Sequence, residues 1–274
     1  MEKRQLVISE NVQVARDPLG RPTFRIVLSV PQGSSDSVGQ EFREKSERSQ
    51  TAPAARSLRM RAGQFVDIAI PGFFLRRPIS VCDCSDDRLM LYYKVVGDGT
   101  QLLSTLPAGT QLDVLTGLGN GFRPDACREA ALLAGGGLGV APLYLLAREL
   151  LALGREVTVV LGFNSAGEVV LEEAFRALGV RTLIATMDGS AGVKGFVTDA
   201  IAQAAPAYDY FYTCGPMPMM KALCAALPAP GQASLEDRMG CGAGFCYGCS
   251  IRTRSGVARV CKDGPVFDKE DILW

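Results

Sequence analysis

Four of the chain's nine cysteines fall between residues 241 and 261, in the stretch CGAGFCYGCSIRTRSGVARVC. Cys241, Cys246 and Cys249 follow the spacing C-x4-C-x2-C, and Cys261 comes eleven residues later. Three chemistries use thiols this close together: a disulfide knot, a structural zinc site or an iron–sulfur cluster. Zinc sites normally set one close cysteine pair against a second close pair, and here Cys246 and Cys249 form the only such pair. The spacing of the first three cysteines matches that of plant-type 2Fe–2S ferredoxins. Gly242, Gly244 and Gly248 lie between the thiols, so backbone N–H groups can turn toward sulfur and the loop can stay near the surface. The pattern therefore favours a 2Fe–2S cluster over zinc. A disulfide framework belongs to exported chains, and the start MEKRQLVISE has no apolar signal region. A cytoplasmic location is expected.

The chain contains no histidine. That removes the commonest general base, the commonest nitrogen ligand for metals and any Ser–His or Cys–His nucleophile. Chemistry here must come from carboxylates, lysines, thiols or a bound cofactor. Three further stretches suit a nucleotide cofactor. In LLAGGGLGVAP an apolar strand runs into Gly135, Gly136, Gly137 and Gly139 and then a helix, a place where backbone can approach a phosphate. It departs from the strict G-x-G-x-x-G pattern, and a plain strand-to-helix turn would read the same way. In YTCGP, Cys214, Gly215 and Pro216 follow a strand, at the end where α/β folds hold ligands. In FFLRRPIS, Arg77 can neutralise a diphosphate and the Ser80 hydroxyl can donate a hydrogen bond, although a solvated strand end would look similar. LYYKVVGDGT then offers aromatic and apolar surface and a turn at Gly99 and Thr100.

The elements that must position these residues change character near Pro124. Before it, QLVIS, TFRIVLSV, QFVDIAI, ISVCD, LMLYYKVV and TQLDVLTGL are short β-rich runs between turn residues, the pattern of an antiparallel barrel. Gly33 to Gly63 breaks the pattern, being polar and charged, and reads as an insertion loop, either simply solvated or a partner-contacting arm. After Pro124, strands such as EVTVVLGF and RTLIATMD alternate with helices such as APLYLLARELLALG, which predicts a parallel sheet with helices on both faces. The expected division is a barrel over residues 1–124, an α/β domain over 125–230 and a cysteine module over 231–274. Cys82, Cys84, Cys127 and Cys224 are scattered and read as thiols without function. A chain of 274 residues, 47% hydrophobic, with 29 basic and 29 acidic side chains, can bury two sizeable cores and carries no nucleic-acid footprint. No apolar run is long enough to span a membrane.

The order of barrel with RPIS, α/β domain with GGGLGVAP and CGP, and a cysteine module resembles the ferredoxin–NADP reductase superfamily. EDRMGCGAGFCYGCSI followed by VCKDGPVFDKEDI is most similar to the electron-transfer subunits of type B dihydroorotate dehydrogenase. The resemblance spans the chain except residues 33–63. It implies FAD contacts at Arg77, Pro78, Ile79 and Ser80, at Tyr92, Tyr93 and Lys94, and at Gly99 and Thr100. It implies cluster ligation by Cys241, Cys246, Cys249 and Cys261, and NAD on the α/β domain. It further implies an FMN-containing catalytic partner in a heterotetramer of two copies of each chain, with electrons from dihydroorotate reaching NAD through the cluster and FAD in pyrimidine biosynthesis. After VTVVLGF, the stretch NSAGE offers Asn164 and Glu168 rather than a basic cluster, which suits the free ribose hydroxyl of NAD rather than NADP. Two alternatives share parts of the pattern: the reductase subunit of a hydrogenase, sulfide reductase or electron-bifurcating complex, and a zinc-stabilised or redox-sensing module without catalysis.

Overall fold

A computed structural model describes residues 1–31 and 57–274. Most of the insertion expected over residues 33–63 lies outside the described residues. Its last part does not behave as a polar loop. Over residues 57–62, exposed and buried side chains alternate, with Leu58, Met60 and Ala62 packed into the core. Alternate burial lets the charged residues between them stay in water, where Arg59 pairs with Asp86 at 2.9 Å.

Six antiparallel strands close the N-terminal barrel. They are β1 (Glu2–Arg16), β2 (Pro22–Ser29), β3 (Phe65–Ile68), β4 (Arg77–Cys84), β5 (Arg88–Lys94) and β6 (Gln111–Leu118), in the order β1-β2-β5-β4-β3-β6. Leu6, Ile8, Ile26, Leu28, Val66, Ile68, Leu89 and Leu91 fill the interior. Between β5 and β6 runs helix α1 (Asp98–Thr105). The sequence reading expected a glycine–threonine turn there. Gly97 and Gly99 mask the helix start, and only the LLST end carries ordinary helix formers.

The second sheet is built from β7 (Ala130–Gly136), β8 (Glu156–Phe163), β9 (Arg181–Thr186), β10 (Val193–Lys194), β11 (Tyr210–Cys214) and β12 (Gly231–Ser234), all parallel. Helices α2 (Ala141–Ala152), α3 (Glu172–Ala177), α4 (Val197–Ala204) and α5 (Met217–Ala226) cover it on both sides. Strand alternation shows how: Ala131 and Leu133 of β7 share a core with Leu143 of α2 and Phe175 of α3, while Leu132 and Ala134 share one with Val197 of α4 and Leu223 of α5. The strand order β10-β9-β8-β7-β11-β12 reverses direction between β7 and β11, which opens a crevice at their C-terminal ends.

After β12 come the cysteine loop, a hairpin of β13 (Ser250–Thr253) and β14 (Gly256–Arg259), and β15 (Val266–Asp268). β15 returns antiparallel onto β12 as the seventh strand of the sheet. The division expected at residue 231 therefore assigns two sheet strands to the cysteine module. That module has its own small core, in which Cys249, Val260, Cys261 and Phe267 pack with Phe65 and Leu118 of the barrel. Among the described residues no helix is long and apolar enough to cross a membrane.

Candidate functional site

The crevice between β7 and β11 is a cavity of about 600 Å³, walled by Gly136, Gly137, Phe163, Asn164, Glu168 and Pro216 among others. Glycine is required on both lips by close backbone approach. A Cβ on Gly139 would stand 2.3 Å from the Cys214 carbonyl oxygen, and one on Gly215 would stand 2.7 Å from that of Gly136. Gly137 differs: it has φ +54° and only open space before it. Of the expected residues, Gly136, Gly137 and Pro216 line the cavity, while Gly139 and Gly215 pack against the backbone of the opposite lip and Gly135 faces Val140 and Leu143. A short 3-10 turn over Gly137–Val140 separates β7 from α2.

Lys94, expected on the flavin side, reaches this crevice from the barrel. Its Nζ lies 3.3 Å from Asp17 Oδ2 and 3.8 Å from Glu168 Oε2. Burial raises the Asp17 carboxyl, but hydrogen bonds from Arg21 and Lys94 outweigh it and hold the group at about 2. Asn164 donates to Glu168 Oε1 at 2.9 Å, so the carboxylate of the crevice wall is fixed by two partners on different domains.

On the barrel, β3 and β4 pair Phe65 with Ser80 and Asp67 with Pro78. The Arg77 guanidinium lies 4.9 Å from the centre of the Phe73 ring and against Gly99, where a Cβ would be 2.3 Å from Nη2. Arg77 and the start of α1 are therefore adjacent, and the first N–H groups of a helix have no intrahelical partner. The Thr100 hydroxyl is already used. It accepts from the Val96 and Gly97 N–H groups and donates to the Gly97 carbonyl. Ile79 points into the barrel core. The Tyr93 hydroxyl donates to Asn11 at 2.9 Å while its ring stacks on Phe24. At these three positions the side chain is already engaged within the protein. Tyr92 is nearly buried, and loss of water pushes its phenol up to about 12.

The four cysteines act on one another, Cys241 reaching Cys261 as well as its nearer neighbour. The Cys241 and Cys246 thiols interact, as do those of Cys249 and Cys261. Backbone N–H groups point at sulfur: Phe245 and Cys246 donate to Cys241 Sγ at 3.2 and 3.4 Å, and Cys261 donates to Cys249 Sγ at 3.4 Å. Burial works against the Cys241 thiolate, but these N–H groups outweigh it and bring the thiol down to about 6. Burial and the neighbouring Cys249 push Cys261 up to about 12. Gly242 and Gly244 take φ +61° and +87°, which turns the loop back so that the amides face inward. Among the described residues no three such side chains converge on one point, as a single metal ion would need. Four thiols on one loop, with N–H groups donating to the Cys241 and Cys249 sulfurs, fit a two-iron cluster, in which four thiolates serve two metals.

Two acidic residues escaped the sequence reading. Glu236 follows β12, beside the end of β11, with its side chain exposed, and its charge adds to the burial that raises the Cys214 thiol. Asp67 sits in β3 at an outward position that is nonetheless buried. A charged residue inside the apolar run QFVDIAI was the available signal.

Residues 236–273 match the iron–sulfur cluster binding domain of dihydroorotate dehydrogenase B, and residues 133–225 match the oxidoreductase NAD-binding domain. The dihydroorotate dehydrogenase B (NAD(+)) electron transfer subunit of Lysinibacillus sphaericus is 45% identical over 225 residues, which cover 78% of this chain and 87% of that protein. The subunit of the same name from Fusobacterium nucleatum is 42% identical, over 77% of this chain and 86% of that protein. Among solved structures, the NADH-dependent reduced ferredoxin-NADP oxidoreductase studied for flavin-based electron bifurcation superposes with a TM-score of 0.78 at 29% identity, covering 98% of this chain and 90% of that chain. Phthalate dioxygenase reductase, at 19% identity and a TM-score of 0.63 over 97% of this chain and 76% of that one, shares the fold.

Proposed function

The chain belongs to the electron transfer subunits of dihydroorotate dehydrogenase B, and on that premise we propose how its residues divide the work. It is an oxidoreductase subunit that uses NAD, FAD and a 2Fe–2S cluster. When bound, FAD exchanges electron pairs with the nicotinamide and the cluster carries electrons singly.

The glycines of β7 and the 3-10 turn bring main-chain N–H groups to the dinucleotide phosphates, with Gly137 on the open side. Asn164 and Glu168 present acceptors suited to ribose hydroxyls, and the Glu168 carboxylate disfavours a 2′-phosphate. Cys214, Gly215 and Pro216 border the other end of the crevice. Arg77 and the N–H groups at the start of α1 hold the FAD diphosphate, Ser80 turns its hydroxyl to the flavin, and Pro78, Ile79, Tyr92, Tyr93, Lys94, Gly99 and Thr100 line the same surface. Cys241, Cys246, Cys249 and Cys261 hold the cluster. The working division is a FAD barrel over 1–124, an NAD domain over 125–230 and a cluster module over 231–274, in a cytoplasmic protein. The partner is the FMN-containing catalytic subunit, in an assembly of two copies of each. It docks where Cys246 is exposed between Phe245, 76% exposed, and Tyr247, 61% exposed. Large apolar side chains left in water around a ligand loop mark a contact surface.

One observation carries this reading. Phe65, opposite Ser80 on the flavin strands, packs in the same core as Cys249 and Cys261. Flavin strand and cluster loop are thus built as neighbours, which keeps an electron path short.

The experiment is an absorption spectrum with iron and flavin quantification on anaerobically purified protein. About two irons per FAD are expected, with NADH–dye reduction by the chain alone and dihydroorotate oxidation only when the catalytic partner is added. A colourless, zinc-bearing protein, or a cofactor-replete chain without NADH–dye activity, would sink the assignment. Arg77→Ala is expected to weaken FAD retention by about 10- to 100-fold, the size of one or two lost charge-assisted hydrogen bonds. Gel filtration followed by flavin quantification measures it, and undiminished FAD content would remove Arg77 from the site.

A further inference from the structure

Alternation along β3 sends Val66 and Ile68 into the barrel core and Phe65 to the core around Cys249 and Cys261. Asp67 shares the outward side with Phe65 and lies opposite Pro78. Its carboxylate therefore stands between the strand that carries the flavin residues and the loop that carries the cysteines. Gly242, next to Cys241 in the chain, comes so close that a Cβ on it would be 2.6 Å from Asp67 Oδ2. Asp67 is only 3% exposed, and its Oδ1 accepts no hydrogen bond among the described residues.

The neighbouring cations act on Asp67 through space but are engaged elsewhere. The Arg76 guanidinium bonds Asp113 Oδ1 at 2.7 Å and the main-chain carbonyls of Asp67 and Asp113. The Arg77 guanidinium bonds the Leu75 carbonyl. A buried carboxylate with an oxygen left unpaired costs stability, so its retention calls for a reason in function.

We infer that Asp67 is a charge placed to set the reduction potential of the cluster on the adjacent loop, holding it below the value the same four thiolates would give beside a neutral residue. The inference rests on the cluster assignment above. An electron added to a cluster is disfavoured by a nearby negative charge, and little water lies between to screen it. Asp67 gives up no proton or electron in this role; the electrons are those the proposed activity moves between dihydroorotate and NAD. Loss of water pushes the Asp67 carboxyl up to about 6, against the pull of Arg76 and Arg77, so the charge is present at pH 8.

The test is an EPR-monitored redox titration at pH 8 of the complex with its catalytic partner, for wild type, Asp67→Asn and Asp67→Glu, with iron, sulfide and FAD quantified in each. Asp67→Asn should raise the cluster midpoint by about one decade in the reduced-to-oxidised ratio, 59 mV for a one-electron couple. Asp67→Glu, which keeps the charge, should stay near wild type. An unmoved midpoint in Asp67→Asn with full iron content overturns the inference. So does a shift confined to the flavin couples, or loss of iron with FAD retained, which would make Asp67 a structural support for the loop. Wild-type protein without iron would instead overturn the electron-transfer reading on which the inference stands.

Discussion

Cys249→Ser is expected to empty the cluster site while leaving FAD in place. Cys249 is 1% exposed and packs among Phe65, Val260 and Phe267, so the small change from sulfur to oxygen leaves that core close to its original volume. What it removes is a soft thiolate, and a serine hydroxyl stays protonated and binds iron poorly. Iron and labile sulfide should fall to background. On the proposed division, NADH–dye reduction needs only the crevice and the flavin surface and should stay within about twofold of wild type. Dihydroorotate-to-NAD turnover with the partner should drop by more than about 100-fold, since disturbing mere outer partners of a metal site already costs 10- to 100-fold. Cys127→Ser, buried far from the loop near Asp209, is the control and should keep its iron. Full iron content in Cys249→Ser would remove Cys249 from the ligand set.

Some of this site was legible in the sequence because spacing and residue type alone restrict it. C-x4-C-x2-C is a statement about how tightly a loop must turn, and GGG after an apolar strand is a statement about backbone approach. Both survive without knowing what lies opposite. Other features depend on the opposite side. That Lys94 belongs to the crevice follows only from Glu168 crossing to it from the second domain. That Thr100 spends its hydroxyl within its own helix turn follows from α1, which two glycines concealed. β12 and β15 fall within the expected cysteine module because four- and three-residue strands carry little pattern of their own. Leu58, Met60 and Ala62 were lost inside a polar stretch because their alternation lasts only one short run next to Asp86 and Cys84. Asp67 shows the same limit: its position on a strand was predictable, but its burial is imposed by Gly242 of a loop far along the chain.

The crevice offers the second large effect, Gly139→Ala. The backbone at Gly139 does not require a positive φ, so alanine carries no conformational penalty of its own there. The cost is steric. The added methyl would meet the Cys214 carbonyl oxygen at 2.3 Å, its carbon at 2.5 Å and the Gly215 nitrogen at 2.5 Å. All three are main-chain atoms of β11 and the turn after it, so no side chain can rotate away. Either the 3-10 turn after β7 or the Cys214–Pro216 turn must move, and both are walls of the crevice. Overpacking of this kind costs about 1–3 kcal/mol, and a loss of that size in dinucleotide binding is about 10- to 100-fold in affinity. The expected result is a KM for NADH in dye reduction raised by roughly that factor, a lower Tm and an unchanged FAD content, since the proposed flavin surface lies on the barrel. Gly137→Ala separates shape from strain. It meets open space but must adopt φ +54°, which costs about 1–2 kcal/mol for an L-residue. It should lower stability comparably while leaving the two walls of the crevice in register, so its KM should rise less. A Gly139→Ala protein with wild-type KM for NADH would place the dinucleotide outside the β7–β11 crevice.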